Sequence, residues 1–255
     1  MSSLKSAFEI GKKDNRALLI GYISAGYPTL EKSIEMAKAM IAGGVDVIEV
    51  GLPYSDPVMD GPIIQRSSEE SLRNGTRTSD VFQVVKSLST SVPTLVMTYW
   101  NPVEKYQVAK FSEELKSAGG VGLITPDLTV EESEKWVQKS TELDLARVYV
   151  LAPSSSELRI TKVTEKSSGF VYAASLMGVT GTRNQVSSSA QGLVERIRHQ
   201  TGLSGHDLLR HTALHAGQQS RRGSLRWLHD QRHVHAANVT LNVTFTLRTP
   251  MAAKA

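Results

Sequence analysis

Through the first 200 residues, short runs of apolar, largely β-branched residues alternate with stretches whose apolar positions recur at helical spacing. Such alternation is what βα units around a parallel sheet produce. The strand runs are ALLIGYI from Ala17, VDVIEVG from Val45, TLVMTYW from Thr94, VGLITP from Val121, RVYVLAP from Arg147 and GFVYAAS from Gly169. Between them, Ile34, Ala37 and Ile41, then Val81, Val84, Val85 and Leu88, then Val108, Phe111 and Leu115 each mark one face of a helix. Gly43-Gly44 and Gly119-Gly120 close two of these helices, where a left-handed residue is wanted. The strand runs are apolar on both faces, so both are covered, as in a barrel or a doubly wound sheet.

Past about Gly202 the pattern stops. All seven histidines fall at or beyond residue 199, Glu, Ile and Tyr are absent after residue 202, and VTLNVTFTL from Val239 alternates apolar with polar, which suits a one-sided strand. Two further βα units need roughly 50 residues. The 54 that remain have the right length and the wrong content. We therefore expect residues 1–201 to form a barrel domain of six recognisable units and 202–255 to be an anomalous basic, His-rich tail, of the kind a shift of reading frame near Leu203 produces. A barrel without its last two strands would leave strands one and six as open edges.

Charge and composition then narrow the function. The formal charge of +4 belongs to the tail, which carries seven Lys and Arg against Asp207 and Asp230. No nucleic-acid platform accompanies them. There is no Cys and no apolar run long enough to span a membrane. The N-terminus lacks a signal core, so a cytoplasmic protein is expected. The tail pairs His211/His215 and His233/His235 have spacings that can bind a metal, but no Cys and almost no acid stands nearby to complete a set.

Candidate chemistry gathers in EVGLPYSDPVMDGP. Glu49 sits inside the second strand run, where an apolar setting raises a carboxyl pKa and suits it to proton transfer near neutral pH. The bland alternative is a Glu paired with a Lys or Arg of the barrel, and none occupies the other strand cores. Asp60, before Gly61, and Asp56, before Pro57, would each read singly as turn acids. Three acids within twelve residues on one strand end and its loop form an arrangement for acid–base work.

IEVGLPYSDPVMDGP, with GYISAGYP, MTYWNPV, GLITPDLTVEES and YAASLMGVTG, resembles the tryptophan synthase α chain family over about residues 5–200. The resemblance implies a (β/α)8 TIM barrel of the α/β class, here with strands seven and eight doubtful or missing. It also implies a lyase of tryptophan biosynthesis that cleaves indole-3-glycerol phosphate to indole and glyceraldehyde 3-phosphate. By position, Glu49 matches the general acid–base that protonates indole C3, and Asp60 the acid that holds the indole N–H. Tyr22, Tyr99 and Tyr172 match the substrate pocket. Thr180 matches the loop threonine that closes onto the Asp60 position, and Gly181 a phosphate-binding glycine. Pro53 and Asp56 match the region facing the β chain. The resemblance implies no cofactor and no metal in this chain, pyridoxal phosphate in the partner β chain, and an α2β2 heterotetramer. The Gly-rich loops that hold the substrate phosphate in the family cannot be found after residue 203, so activity impaired by the tail is expected. A non-catalytic subunit that only activates the β chain is the alternative. Indole-glycerol phosphate synthase, a rival barrel, needs a Lys on a strand, which is missing.

Overall fold

Parallel pairing joins the apolar runs in chain order. In a computed structural model, residues 3–174, 188–203, 212–215 and 244–246 are described. The strands are β1 (Leu19–Ser24), β2 (Val47–Gly51), β3 (Thr94–Met97), β4 (Gly122–Ile124), β5 (Ala146–Val148), β6 (Val150–Leu151), β7 (Val171–Ala174), β8 (Thr212–His215) and β9 (Thr244–Thr246). The helices are α1 (Ser3–Lys13), α2 (Leu30–Ala42), α3 (Pro62–Arg73), α4 (Thr78–Leu88), α5 (Trp100–Tyr106), α6 (Val108–Ser117), α7 (Glu134–Glu142), α8 (Glu157–Lys166) and α9 (Ser188–Leu203).

The sheet order is β5-β4-β3-β2-β1-β9-β8-β7-β6. Because β5 and β6 are two halves of one extended segment interrupted at Tyr149, the two ends of that order meet and the sheet closes as a barrel. The last two positions are taken by short strands of the tail. β8 lies parallel to β7, whereas β9 runs antiparallel to both β8 and β1. The expected open edges at the first and sixth strands are therefore covered. The departure from an all-parallel barrel lies in the direction of β9, which falls within the alternating run VTLNVTFTL.

Alternate residues of each strand divide between two cores. Ile20, Val47, Leu95, Ile124, Val148 and Tyr172 point inward and form one buried cluster. Ile48, Val50, Val96, Leu123, Val171 and Ala173 point outward and pack with helix residues such as Ala37, Val81, Val85, Phe111 and Leu115. Each Val, Leu, Ile or Phe among them, fully buried, contributes about 1.5–3 kcal/mol. Leu4 and Phe8, one turn apart on α1, close the barrel's N-terminal end, with the Phe8 ring 5.8 Å from that of Phe170. The run TLVMTYW is strand only to Met97, because α5 starts at Trp100. Arg147 stands in β5 but not in the barrel interior. Its guanidinium donates to Lys166 O, Ser140 Oγ and Thr141 Oγ1, the C-terminal turns of α8 and α7, so it serves the helix layer.

Candidate active site

Period-two alternation decides where Glu49 points. Val47 faces the interior and Ile48 and Val50 the helices, so Glu49 faces inward near the end of β2 and is only 3% exposed. Its Oε1 accepts a hydrogen bond from the Tyr172 hydroxyl of β7, across the barrel. Burial lifts the Glu49 carboxyl to a pKa of about 7, and the Tyr172 bond opposes that rise. Among the described residues Glu49 makes no ion pair, and what acts on its carboxyl is burial and the Tyr172 hydrogen bond. A carboxyl poised near neutrality can both give and take a proton.

Asp60 stands on the loop between β2 and α3. Gly61 caps α3 in extended geometry and Pro62 occupies its first turn, the conformation a fixed proline φ favours. Gln65 of α3 reaches back, its Nε2 donating to Asp60 O at 2.9 Å and Pro57 O at 3.2 Å, which ties the loop to the helix. Burial raises the Asp60 carboxyl to about 6, opposed by a hydrogen bond from the Tyr99 hydroxyl at 3.2 Å. Tyr99 Oη also accepts from Met59 N at 2.9 Å. The two carboxylates thus have separate environments, one inside the barrel and one on its rim.

Tyr22 is opposite Glu49 in the β1–β2 register and buried. Its phenol pKa is driven far up, first by burial and then by the nearby Asp60, so it is neutral and keeps its proton. A niche of small residues surrounds the hydroxyl. A Cβ at Gly51 would collide with it, Ser24 Oγ donates to it at 3.4 Å, and Ser24 Oγ lies 2.7 Å from Ser67 Oγ. Beside this niche a cavity of about 240 Å³ opens between β1 and α3, lined by Tyr22, Ser24, Tyr27, Ile64, Arg66 and Ser67 among others.

Glu49, Asp60, Tyr22, Tyr99 and Tyr172 thus converge at the C-terminal mouth. Thr180 and Gly181 lie outside the described residues, as do His211, His233 and His235. Pro53 is buried, while Asp56 is exposed with Ser55 Oγ donating to its Oδ2 at 2.6 Å. Sequence reasoning missed Tyr54, stacked on Tyr99 with ring centroids 5.0 Å apart, and Asp127, whose carboxylate accepts from Trp100 N. Both stand in quoted loops, YSDP and TPDL, and an acid directly after a strand run was the available signal for Asp127. Among the described residues, no group of three or more His, Cys, Asp or Glu could hold a metal, and no helix is long and apolar enough to cross a membrane.

A closed α/β barrel with two carboxyls of raised pKa at the C-terminal mouth is of the TIM-barrel class, with its candidate site at the face where such barrels build theirs. Residues 8–205 match the family described as tryptophan synthase alpha chain, and the chain belongs to that family. It is 50% identical over 206 residues to the tryptophan synthase alpha chain of Thermobifida fusca, covering 80% of this chain and 76% of that one. Against the alpha chain of Mycobacteroides abscessus it is 46% identical, covering 79% and 77%. Among solved structures, a Mycobacterium tuberculosis tryptophan synthase superposes with a TM-score of 0.78 at 42% identity, over 88% of this chain and 84% of that chain.

Proposed function

We propose that this chain cleaves indole-3-glycerol phosphate to indole and glyceraldehyde 3-phosphate, as the α subunit of a tryptophan synthase. The observation that carries the reading is the pair of carboxyls at one mouth, Glu49 buried and at about 7, Asp60 half-buried and at about 6. Protonated Glu49 delivers its proton to indole C3, and the positive charge that develops on the ring nitrogen is met by ionised Asp60 through the N–H. The Glu49 carboxylate then takes the proton from the side-chain hydroxyl next to C3. The carbon–carbon bond breaks, its electron pair returns to the ring, and indole and the aldehyde leave with Glu49 protonated again.

No cofactor takes part in these steps. Pyridoxal phosphate belongs to a partner β chain, and the α2β2 assembly is cytoplasmic. Exposed Asp56 and the hydrophobic Val58, 72% exposed on the same loop, support a surface for that partner. Tyr22 and Tyr172 wall the indole site; by family position Thr180 is the threonine that meets Asp60 and Gly181 a glycine for the substrate phosphate. Residues 1–201 supply this chemistry, and from the tail β8 and β9 take the two remaining barrel positions.

One observation favours reduced activity. Because β9 runs antiparallel to β1, its C-terminal end points away from the mouth, the reverse of the direction in which a barrel strand delivers its following loop to that face. The test is indole release from indole-3-glycerol phosphate by the purified chain with a β chain present. Glu49→Ala abolishes it if the reading is right. Indole release that survives the substitution refutes the mechanism, and activation of the β chain with no indole release from the wild type establishes the non-catalytic alternative.

A further inference from the structure

α5 begins without a cap of its own. Tyr99 occupies the N-cap position with extended φ and ψ, and its side chain makes no capping bond. Pro102, three residues on, has no N–H to satisfy. The first N–H of the helix, that of Trp100, is instead taken by Asp127 from the loop after β4, with Oδ1 at 2.9 Å and Oδ2 at 3.1 Å. A carboxylate at the first N–H of a helix both satisfies that donor and meets the positive end of the helix dipole. Asp127 is an exposed residue, yet partial burial of its carboxylate raises its pKa, opposed by the Trp100 N–H.

The residue fixed by this cap is the one that holds Asp60. Tyr99 is directly before Trp100, and its hydroxyl donates to Asp60 Oδ2 while accepting from Met59 N. Its donated proton and the Met59 N–H it accepts are thus both committed to the acid-bearing loop. Tyr54 stacks on the Tyr99 ring at an interplanar angle of 29°, and Asn101 Nδ2 donates to Tyr54 Oη at 3.1 Å. The start of α5 thus grips the β2–α3 loop at three points, and Asp127 sets where α5 starts.

We infer that Asp127 is a positioning residue of the cleavage reaction, acting through the Trp100 N–H and the Tyr99 hydroxyl to hold Asp60 where the indole N–H arrives. The inference rests on the proposed lyase reading. It never requires Asp127 to touch substrate. A displacement of Asp60 by about an ångström is enough to cost up to roughly 100-fold in turnover.

The test separates position from charge. Asp127→Asn removes the charge and keeps an oxygen that accepts from Trp100 N, whereas Asp127→Ala removes both. The charged and titratable groups facing Asp60 and its clasp are Tyr22, Glu49, Tyr99 and Asp127. The Asp60 carboxyl is followed by carbon-13 NMR in protein labelled at aspartate, its signal assigned from Asp60→Asn. In the wild type it titrates at about 6. In Asp127→Ala the Tyr99 hydroxyl withdraws, burial acts unopposed and the midpoint rises, in the same direction as in Tyr99→Phe. In Asp127→Asn it stays or falls, since only a neighbouring negative charge has gone. Turnover with the β chain present drops about 10- to 100-fold in Asp127→Ala with KM within about threefold, and Asp127→Asn recovers most of it.

Should Asp127→Ala fail to fold, Asp127→Glu, which moves the carboxylate by one methylene, is expected to raise the midpoint likewise. An Asp60 midpoint and turnover unchanged in Asp127→Ala, or equal losses in the Asn and Ala variants, overturn the inference. The titration needs no turnover, so it decides the positioning role even in a chain that releases no indole, where only the lyase reading would have failed.

Discussion

Glu49→Gln should make the protein inactive and more stable, with a pH dependence that the structure sets. Free of the barrel, the Glu49 carboxyl has a pKa of 4.5, and folded it is about 7. The folded state therefore binds the proton more tightly than the unfolded chain, and stability falls as pH rises between those two values. Below the lower one both states are protonated and the penalty is absent. Above the upper one it is complete, at about 1.4 kcal/mol per pKa unit and so about 3 kcal/mol in total. Gln carries no charge to desolvate, and its side-chain oxygen still accepts from the Tyr172 hydroxyl. Urea unfolding of wild type and variant at pH 4.5 and pH 8 measures the effect directly. The stability difference is expected to be small at the acidic pH and to grow to about 3 kcal/mol in favour of the variant at the alkaline one. A difference that is the same at both values would mean that Glu49 is not held above its ordinary pKa, and the argument for it as a proton carrier would lose its physical basis.

Tyr172→Phe removes the donor that opposes burial at Glu49. The Glu49 limb of the pH–kcat/KM profile should move up by about one unit, the equivalent of a hydrogen bond to a charged group worth about 1.5 kcal/mol; a limb that stays or moves down refutes the assignment. Gly51→Ala places a methyl group against the Tyr22 hydroxyl and should cost about 1–3 kcal/mol by overpacking, seen as a lower Tm. Adding Tyr22→Phe to Gly51→Ala should restore part of that loss, and a double variant no more stable than the single one would show that the hydroxyl is not what the glycine accommodates.

Much of this was legible in one dimension because parallel strands buried on both faces are apolar throughout. The six runs became β1 to β7, with RVYVLAP split into β5 and β6 at Tyr149. Glu49 stood out because a carboxyl in such a run is costly unless it is used. Asp127 did not stand out, because its work is done on a backbone N–H that only the neighbouring loop brings within 2.9 Å. The direction of β9 was equally hidden, since an alternating segment pairs equally well either way until its neighbours are fixed.

The order of βα units and the presence of a carboxyl in the barrel wall follow from the sequence alone. They depend on local periodicity and on the energetic cost of burying charge. What only the tertiary structure decided is how EVGLPYSDPVMDGP is used. Tyr172 reaches Glu49 from 123 positions away along the chain, and Tyr99 reaches Asp60 from 39. Hydrogen bonds of that span exist only once the sheet has closed, and they, with burial, set the two pKa values on which the chemistry depends.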